Sequence, residues 1–218
     1  MIHVYGIVQE LEALPPLAGL EEAPLERRVV DDLELVVSRV SEANGDEVPP
    51  EAVLRHAQVV EELMNRSRAV LPAQFGPDFA DDDELADAVR TRSRELERGL
   101  RRVRGCVEFG LRVLGQPAAG SSGASSGSEY MRGRLMETKE RDRLVAELHE
   151  PLARLSRAAT KSSSGSRFAG AYLVPAAKAA AFREAVLALR ARRPELAIVC
   201  TGPWPPYSFA EDGEERLA

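Results

Sequence analysis

The sequence predicts an α+β protein built as two domains, and three observations carry that prediction. Short apolar, β-branched runs are interleaved with segments whose apolar residues recur every three or four positions. A Ser/Gly-rich run at 119–128 divides the chain. A strand, a helix and a second strand then follow one another between Phe168 and Thr201. The expected organisation is an N-terminal α+β domain over 1–116, a flexible Ser/Gly-rich linker over 117–128, and a smaller α+β domain with a long helix over 129–218.

Taken in order, Ile2 to Val8 reads as a buried strand. The Pro- and Gly-bearing segment from Leu11 to Pro24 is a loop, and Leu25–Val30 and Leu33–Val40 form a hairpin across Asp31-Asp32. The period then changes. Val53, Ala57, Val60 and Met64 form one stripe of a helix over Glu51–Ser67, with His56 beside it. Val70-Leu71-Pro72-Ala73-Gln74-Phe75-Gly76-Pro77 is a short edge strand or a strand with a bulge, because Pro72 removes a ladder donor.

The acidic run Asp78 to Glu84 lacks the alternating ligands and central glycine of a calcium loop. Asp81 with Glu84 three residues on is instead a capping box. The helix it opens carries Leu85, Val89, Leu96, Leu100 and Val103, and Gly105 ends it. Cys106 to Leu114 alternates cleanly, with Val107, Phe109, Leu111 and Val113 on one face. The first domain is therefore expected to be a mostly antiparallel sheet with helices over one face.

Beyond the linker, Met131, Leu135, Thr138, Val145, Leu148, Leu152 and Leu155 mark a long helix over Glu129–Ala159, kinked or restarted at Pro151. Its spacing would also suit a coiled coil and weak self-association, but Asp142 interrupts the stripe, which favours packing on the protein's own sheet. Lys161–Ser166 reads as a loop and Phe168–Val174 as a strand. A helix opened by Pro175 carries Ala179, Phe182, Val186 and Leu189. A last strand, Glu195–Thr201, runs into Gly202-Pro203-Trp204-Pro205-Pro206-Tyr207-Ser208-Phe209. Three prolines stiffen that ending, so the rings of Trp204, Tyr207 and Phe209 are expected to lock the C-terminus onto the protein body.

Composition narrows the function classes. With 44% hydrophobic and 29% charged residues in 218, the chain has the balance of a soluble protein with a real core. Its net charge of −6 argues against a general nucleic-acid binder. No apolar run approaches the roughly 18–20 residues of a membrane span, and the start lacks the features of a signal peptide. A cytoplasmic location with no membrane association is expected. Cys106 and Cys200 lie far apart in β-like runs and read as small hydrophobes. His3, His56 and His149 show no metal-ligand spacing to them. No phosphate loop, nucleophile elbow or zinc-protease motif occurs, so no catalytic, cofactor or metal residue is assigned. The arginines from Arg90 to Arg104 read as a solvated helix face.

Several stretches together resemble the gas vesicle protein F/L family (GvpF/GvpL). They are Val4-Tyr5-Gly6-Ile7-Val8, Leu54-Arg55-His56-Ala57-Gln58-Val59-Val60-Glu61, Val70 to Gly76, Val107-Glu108-Phe109-Gly110, Ala171-Tyr172-Leu173-Val174, and Thr201 to Phe209. The resemblance covers nearly the whole chain, with Gln74 standing where the pattern L-P-x-R-F-G carries arginine. It implies a modified ferredoxin-like N-terminal domain followed by a smaller α+β domain, and no catalysis or cofactor. It further implies a minor structural component or assembly factor that contacts the major shell protein and other accessory proteins, located at the gas vesicle in the cytoplasm. The alternative is a ligand-binding regulator or enzyme on a ferredoxin-like sheet. His56, Phe75, Trp204, Tyr207 and Phe209 are the family-motif or partner-contact candidates.

Overall fold

Backbone pairing in this protein forms two four-stranded sheets, each with two interior strands. The computed structural model describes residues 1–41, 49–76, 78–114, 127–164 and 167–210. In chain order the elements are β1 (Ile2–Gln9), β2 (Glu26–Val30), β3 (Leu33–Arg39), α1 (Pro50–Arg66), β4 (Ala69–Pro72), α2 (Asp82–Thr91) and α3 (Ser93–Val103). They continue with β5 (Cys106–Leu114), α4 (Gly127–Ala153), β6 (Ala158–Ser164), β7 (Arg167–Pro175), α5 (Ala179–Arg192) and β8 (Ala197–Trp204). The sheets have the orders β2-β3-β1-β4 and β6-β7-β5-β8. The chain is thus α+β.

It divides into two compact units, one of Met1–Cys106 with the tail from Trp204, the other of Val107–Pro203. The division departs from the sequence boundary at 116. β5 is hydrogen-bonded between β7 and β8 and so belongs with the second sheet, while the residues after β8 return to the first unit. Of the expected linker at 117–128, positions 117–126 lie outside the described residues; Gly127 and Ser128 open α4.

In the first unit, β2 and β3 form the expected hairpin. Val30 pairs with Leu33 across the two-residue turn, where Asp31 takes a φ of 52°, a conformation Asp tolerates better than most residues. β1 pairs antiparallel with β3 and β4. One sheet face packs Tyr5, Val8, Val36 and Val70 against Val59, Val60 and Leu63 of α1. Alternation turns Leu35, Val37 and Leu71 the other way, and they too are buried. There α3 approaches so closely that a Cβ on Gly99 would sit 2.9 Å from the Leu71 side chain. Helices therefore cover both faces of this sheet, not one as expected.

Two helices differ in detail from their sequence stripes. α1 buries His56, Val59, Val60 and Leu63, a face one residue from the expected Val53, Ala57, Val60 and Met64; Val53 is exposed. His56 enters this face because its polar atoms find partners inside. The single helix expected after Asp81 is broken at Arg92 (φ −105°, ψ 9°) into α2 and α3. Asp81 caps α2 as expected, its carboxylate accepting from the Asp83 and Glu84 amides. The Glu84 carboxylate reaches one residue further back and accepts from Ala80 N.

The second unit runs β-α-β-β-α-β, the ferredoxin-like element order. The first runs β-β-β-α-β before α2, with a loop and one 3-10 turn (Leu20–Glu22) between β1 and β2. The second core joins Phe109, Leu111 and Val113 of β5 to Leu148 and Leu152 of α4, Tyr172 of β7 and Phe182, Val186 and Leu189 of α5. β6 replaces the loop expected at Lys161–Ser166, pairing antiparallel with β7 from Ala158 to Ser164. As an edge strand of small and polar residues it carries no apolar alternation to announce it. α4 ends at Ala153, ahead of β6, with Pro151 inside its last turn. Its Met131, Leu135 and Met136 are exposed.

Leu63 is wholly buried between α1 and the first sheet. Leu63→Ala is expected to destabilise the first unit by about 3 kcal/mol, read as a lower urea midpoint.

Candidate functional site

The candidate site forms on the α1 face of the first sheet, where β1 carries polar rings into an otherwise aliphatic core. His3 and Tyr5 would share a face by simple alternation; the register shift between Val4 and Gly6 in the β1–β3 ladder sits beside Tyr5. Ring centroids of His3, Tyr5, His56 and Phe75 lie 4.9–5.6 Å apart in the five contacts they make. His3 and His56 are each 2% exposed and Tyr5 is fully buried.

Burial on this scale demands partners for every polar atom, and the site supplies them in two chains. In the first, Leu20 N donates to Tyr5 Oη at 2.7 Å, and that hydroxyl shares a 2.9 Å bond with Ser38 Oγ. The segment carrying Leu20 approaches so closely that a Cβ on Gly19 would collide with the Tyr5 hydroxyl. In the second, His3 Nδ1 lies 2.6 Å from Asp78 Oδ1, His3 Nε2 lies 2.8 Å from His56 Nδ1, and His56 Nε2 donates to the Ala73 carbonyl at 3.0 Å. Desolvation holds His56 down at about 4, opposed by the Ala73 bond. Burial also lowers His3 against the opposing pull of Asp78, and raises the Tyr5 phenol.

His56 and Phe75 are thus brought together, with ring centroids 5.6 Å apart. Sequence reasoning left His56 without a carboxylate partner; the structure links it to Asp78 through His3. Both partners escaped notice because they are remote in sequence. The available signal was the i, i+2 relation of His3 to Tyr5 on a strand facing α1.

The tail divides differently from expectation. Tyr207 packs against the same core as Phe75, and burial raises its phenol to about 12. Phe209 is 4% exposed, and its carbonyl accepts from the Arg102 guanidinium. Trp204, expected to help lock the tail, is 48% exposed. Pro205 and Pro206 are buried in its place. The turn into this segment requires Gly202, at φ 108°, where a Cβ would meet the Glu108 carbonyl at 2.6 Å.

As chemistry, the ring cluster is closed: both nitrogens of each histidine are engaged within it. A separate hollow of about 360 Å³ is lined by Arg90, Arg92, Arg94, Glu95 and Arg98, without His56. Among the described residues no group of three His, Cys, Asp or Glu side chains is placed to hold a metal. No described helix is long and apolar enough to cross a membrane.

Two measurements check this geometry. Phe209→Ala is expected to cost about 3 kcal/mol and Trp204→Ala under about 1 kcal/mol, compared by thermal and urea unfolding; the reverse order would contradict the observed burial. Because the folded value of His56 lies below its ordinary one, the unfolded chain binds more protons between pH 6.5 and 4. Its contribution is complete above about pH 6.5 and is lost as pH falls toward 4, by about 3 kcal/mol at the end. Urea midpoints across that range should show the decline.

The family profile described as "Gas vesicle synthesis protein GvpL/GvpF" matches residues 1–211. Gas vesicle protein L of Streptomyces sp. (strain CB03234) is 27% identical over 253 residues, covering 99% of this chain and 94% of the relative. Gas vesicle protein F1 of Halobacterium salinarum is 27% identical over 216 residues, covering 96% and 92%. The crystal structure of GvpF from Anabaena sp. PCC7120 superposes with a TM-score of 0.79 at 19% identity, covering 97% of this chain and 96% of that one. GvpF from Microcystis aeruginosa gives 0.78 at 16% identity, covering 97% and 99%. These two likenesses establish the shared fold.

Proposed function

Since the chain belongs to the gas vesicle synthesis protein GvpL/GvpF family, we propose that it is a non-enzymatic accessory protein of gas vesicle assembly, acting in the cytoplasm and at the vesicle. In this reading it contacts the major shell protein, as a minor shell component or an assembly factor. The observation that carries it is the extent of the match, which runs from residue 1 to 211 and so takes in both sheets and the buried tail. Physical reasoning supports the partner. A shell subunit with a water-excluding face is prone to aggregate before it polymerises, and a soluble partner that covers apolar surface or a strand edge holds it back. Met131, Leu135 and Met136 on α4 supply exposed apolar side chains for such contact.

A deep pocket joining His56 to charged groups would favour the rival reading, a ligand-binding regulator or enzyme. His56 is instead sealed by His3, Tyr5, Phe75 and the Ala73 carbonyl.

Purified protein is expected to retain the major shell protein in a pull-down, and its deletion to leave cells with defective vesicles. Met131→Glu with Leu135→Glu is expected to weaken retention at least tenfold with an unchanged melting temperature. No retention by the unaltered protein, together with normal vesicles after deletion, would overturn the proposal.

A further inference from the structure

The chain Asp78–His3–His56–Ala73 can be tested by counting protons. The Ala73 carbonyl only accepts, so its 3.0 Å bond requires a proton on His56 Nε2. A neutral His56 then has a bare Nδ1, which accepts, so its 2.8 Å bond requires a proton on His3 Nε2. His3 can no longer be the neutral Nδ1–H tautomer that an ionised Asp78 would select. A third proton must lie in the 2.6 Å bond between His3 Nδ1 and Asp78 Oδ1. An ionised carboxylate with two neutral imidazoles supplies only two protons for three bonds. With two, one bond becomes a contact between bare acceptors in a site where both histidines are 2% exposed.

We propose that the folded first unit contains a buried proton-binding site, in which Asp78, His3 and His56 hold one proton more than the same groups carry in the unfolded chain at neutral pH. The extra proton lies in the 2.6 Å bond between His3 Nδ1 and Asp78 Oδ1, shared between the two atoms. With it the cluster has no net charge, whereas the two-proton state leaves a net negative one on the part-buried Asp78 beside two buried rings. The titratable and charged neighbours are consistent with this. Tyr5 of β1 has its hydroxyl bonded to Ser38 of β3 and is acted on by both Asp78 and Arg55 of α1. Among the described residues, Asp78 is the carboxylate that acts on both histidine rings.

The site joins β1 through His3, α1 through His56, and the chain beyond β4 through the Ala73 carbonyl and the Asp78 carboxylate. Losing the proton opens one of the bonds that join these parts. The inference does not depend on the gas vesicle reading, because its test involves no partner.

Nitrogen-15 NMR of the histidine rings in the full-length protein at pH 7.5 tests the placement of the first two protons. The expected result is that His56 is the neutral Nε2–H tautomer and His3 Nε2 carries hydrogen. A neutral His3 protonated at Nδ1 with bare Nε2 would overturn the proposal. A second arm uses Asp78→Asn, whose amide N–H can donate to His3 Nδ1 without an added proton. Between pH 7 and 8 the unfolding constant of the unaltered protein should rise more steeply than that of D78N, approaching a tenfold difference per pH unit. The same comparison cancels the N-terminus and the thiols, which are common to both proteins. Equal slopes would overturn the proposal.

Discussion

Everything in the first unit has to accommodate the decision to bury polar rings beside the central strand. His3 and Tyr5 sit on β1, and each unsatisfied polar atom there would cost on the order of 1–3 kcal/mol. The surrounding chain is arranged to prevent that cost. Tyr5 takes Leu20 N from the loop before β2 and Ser38 from β3. His3 takes Asp78 from beyond β4 and His56 from α1. Five separate parts of the chain are therefore placed by hydrogen bonds that have a direction, where a purely aliphatic core would tolerate sliding. The orientation of α1 follows from the same constraint. Its buried face begins at His56, which has partners inside, and Val53 is left exposed.

The two sheets solve the same problem with different materials. Both place the earliest strand of the unit at an interior position, next to the third strand on one side and the fourth on the other. The second unit covers its sheet with α4 and α5, whose side chains share one core with β5 and β7. There the only comparable polar contact is His149 with Tyr172 Oη at 3.1 Å, among the described residues. The first unit lacks a helix between β1 and β2 and fills the space with the loop that supplies Leu20. The polar ring cluster is found in the unit whose helix count on that face is lower, where directional bonds take over part of the positioning that helix packing provides elsewhere.

How much of this was legible followed from whether the information was local. The alternation Phe109, Leu111, Val113 and the stripe Phe182, Val186, Leu189 are short-range patterns, and both appear intact in the second core. The Asp31-Asp32 turn and the Asp81 cap are equally local, and both are present. β6 was illegible because an edge strand of Lys and Ser is set by its partner β7 and not by its own composition. The His3–Asp78 contact spans 75 residues, and no spacing rule reaches that far. Trp204 misled for a related reason. A large ring in a stiff segment favours burial, but which ring is buried depends on the path of the prolines, and that path buries Pro205, Pro206 and Phe209.

One departure from the expected family pattern, at Gln74, acquires a physical meaning once the site is built. Gln74 stands where an arginine was expected, between Ala73, whose carbonyl accepts from His56, and Phe75, whose ring packs on both histidines. Ala73 contributes only its backbone, so its identity is free; Phe75 contributes its ring. Gln74 itself is exposed, and alternation along an extended segment is what separates it from its neighbours. The substitution therefore leaves the buried network intact and changes one charge on the surface directly above it. The fold-determining work at this segment is carried by the carbonyl before Gln74 and the ring after it.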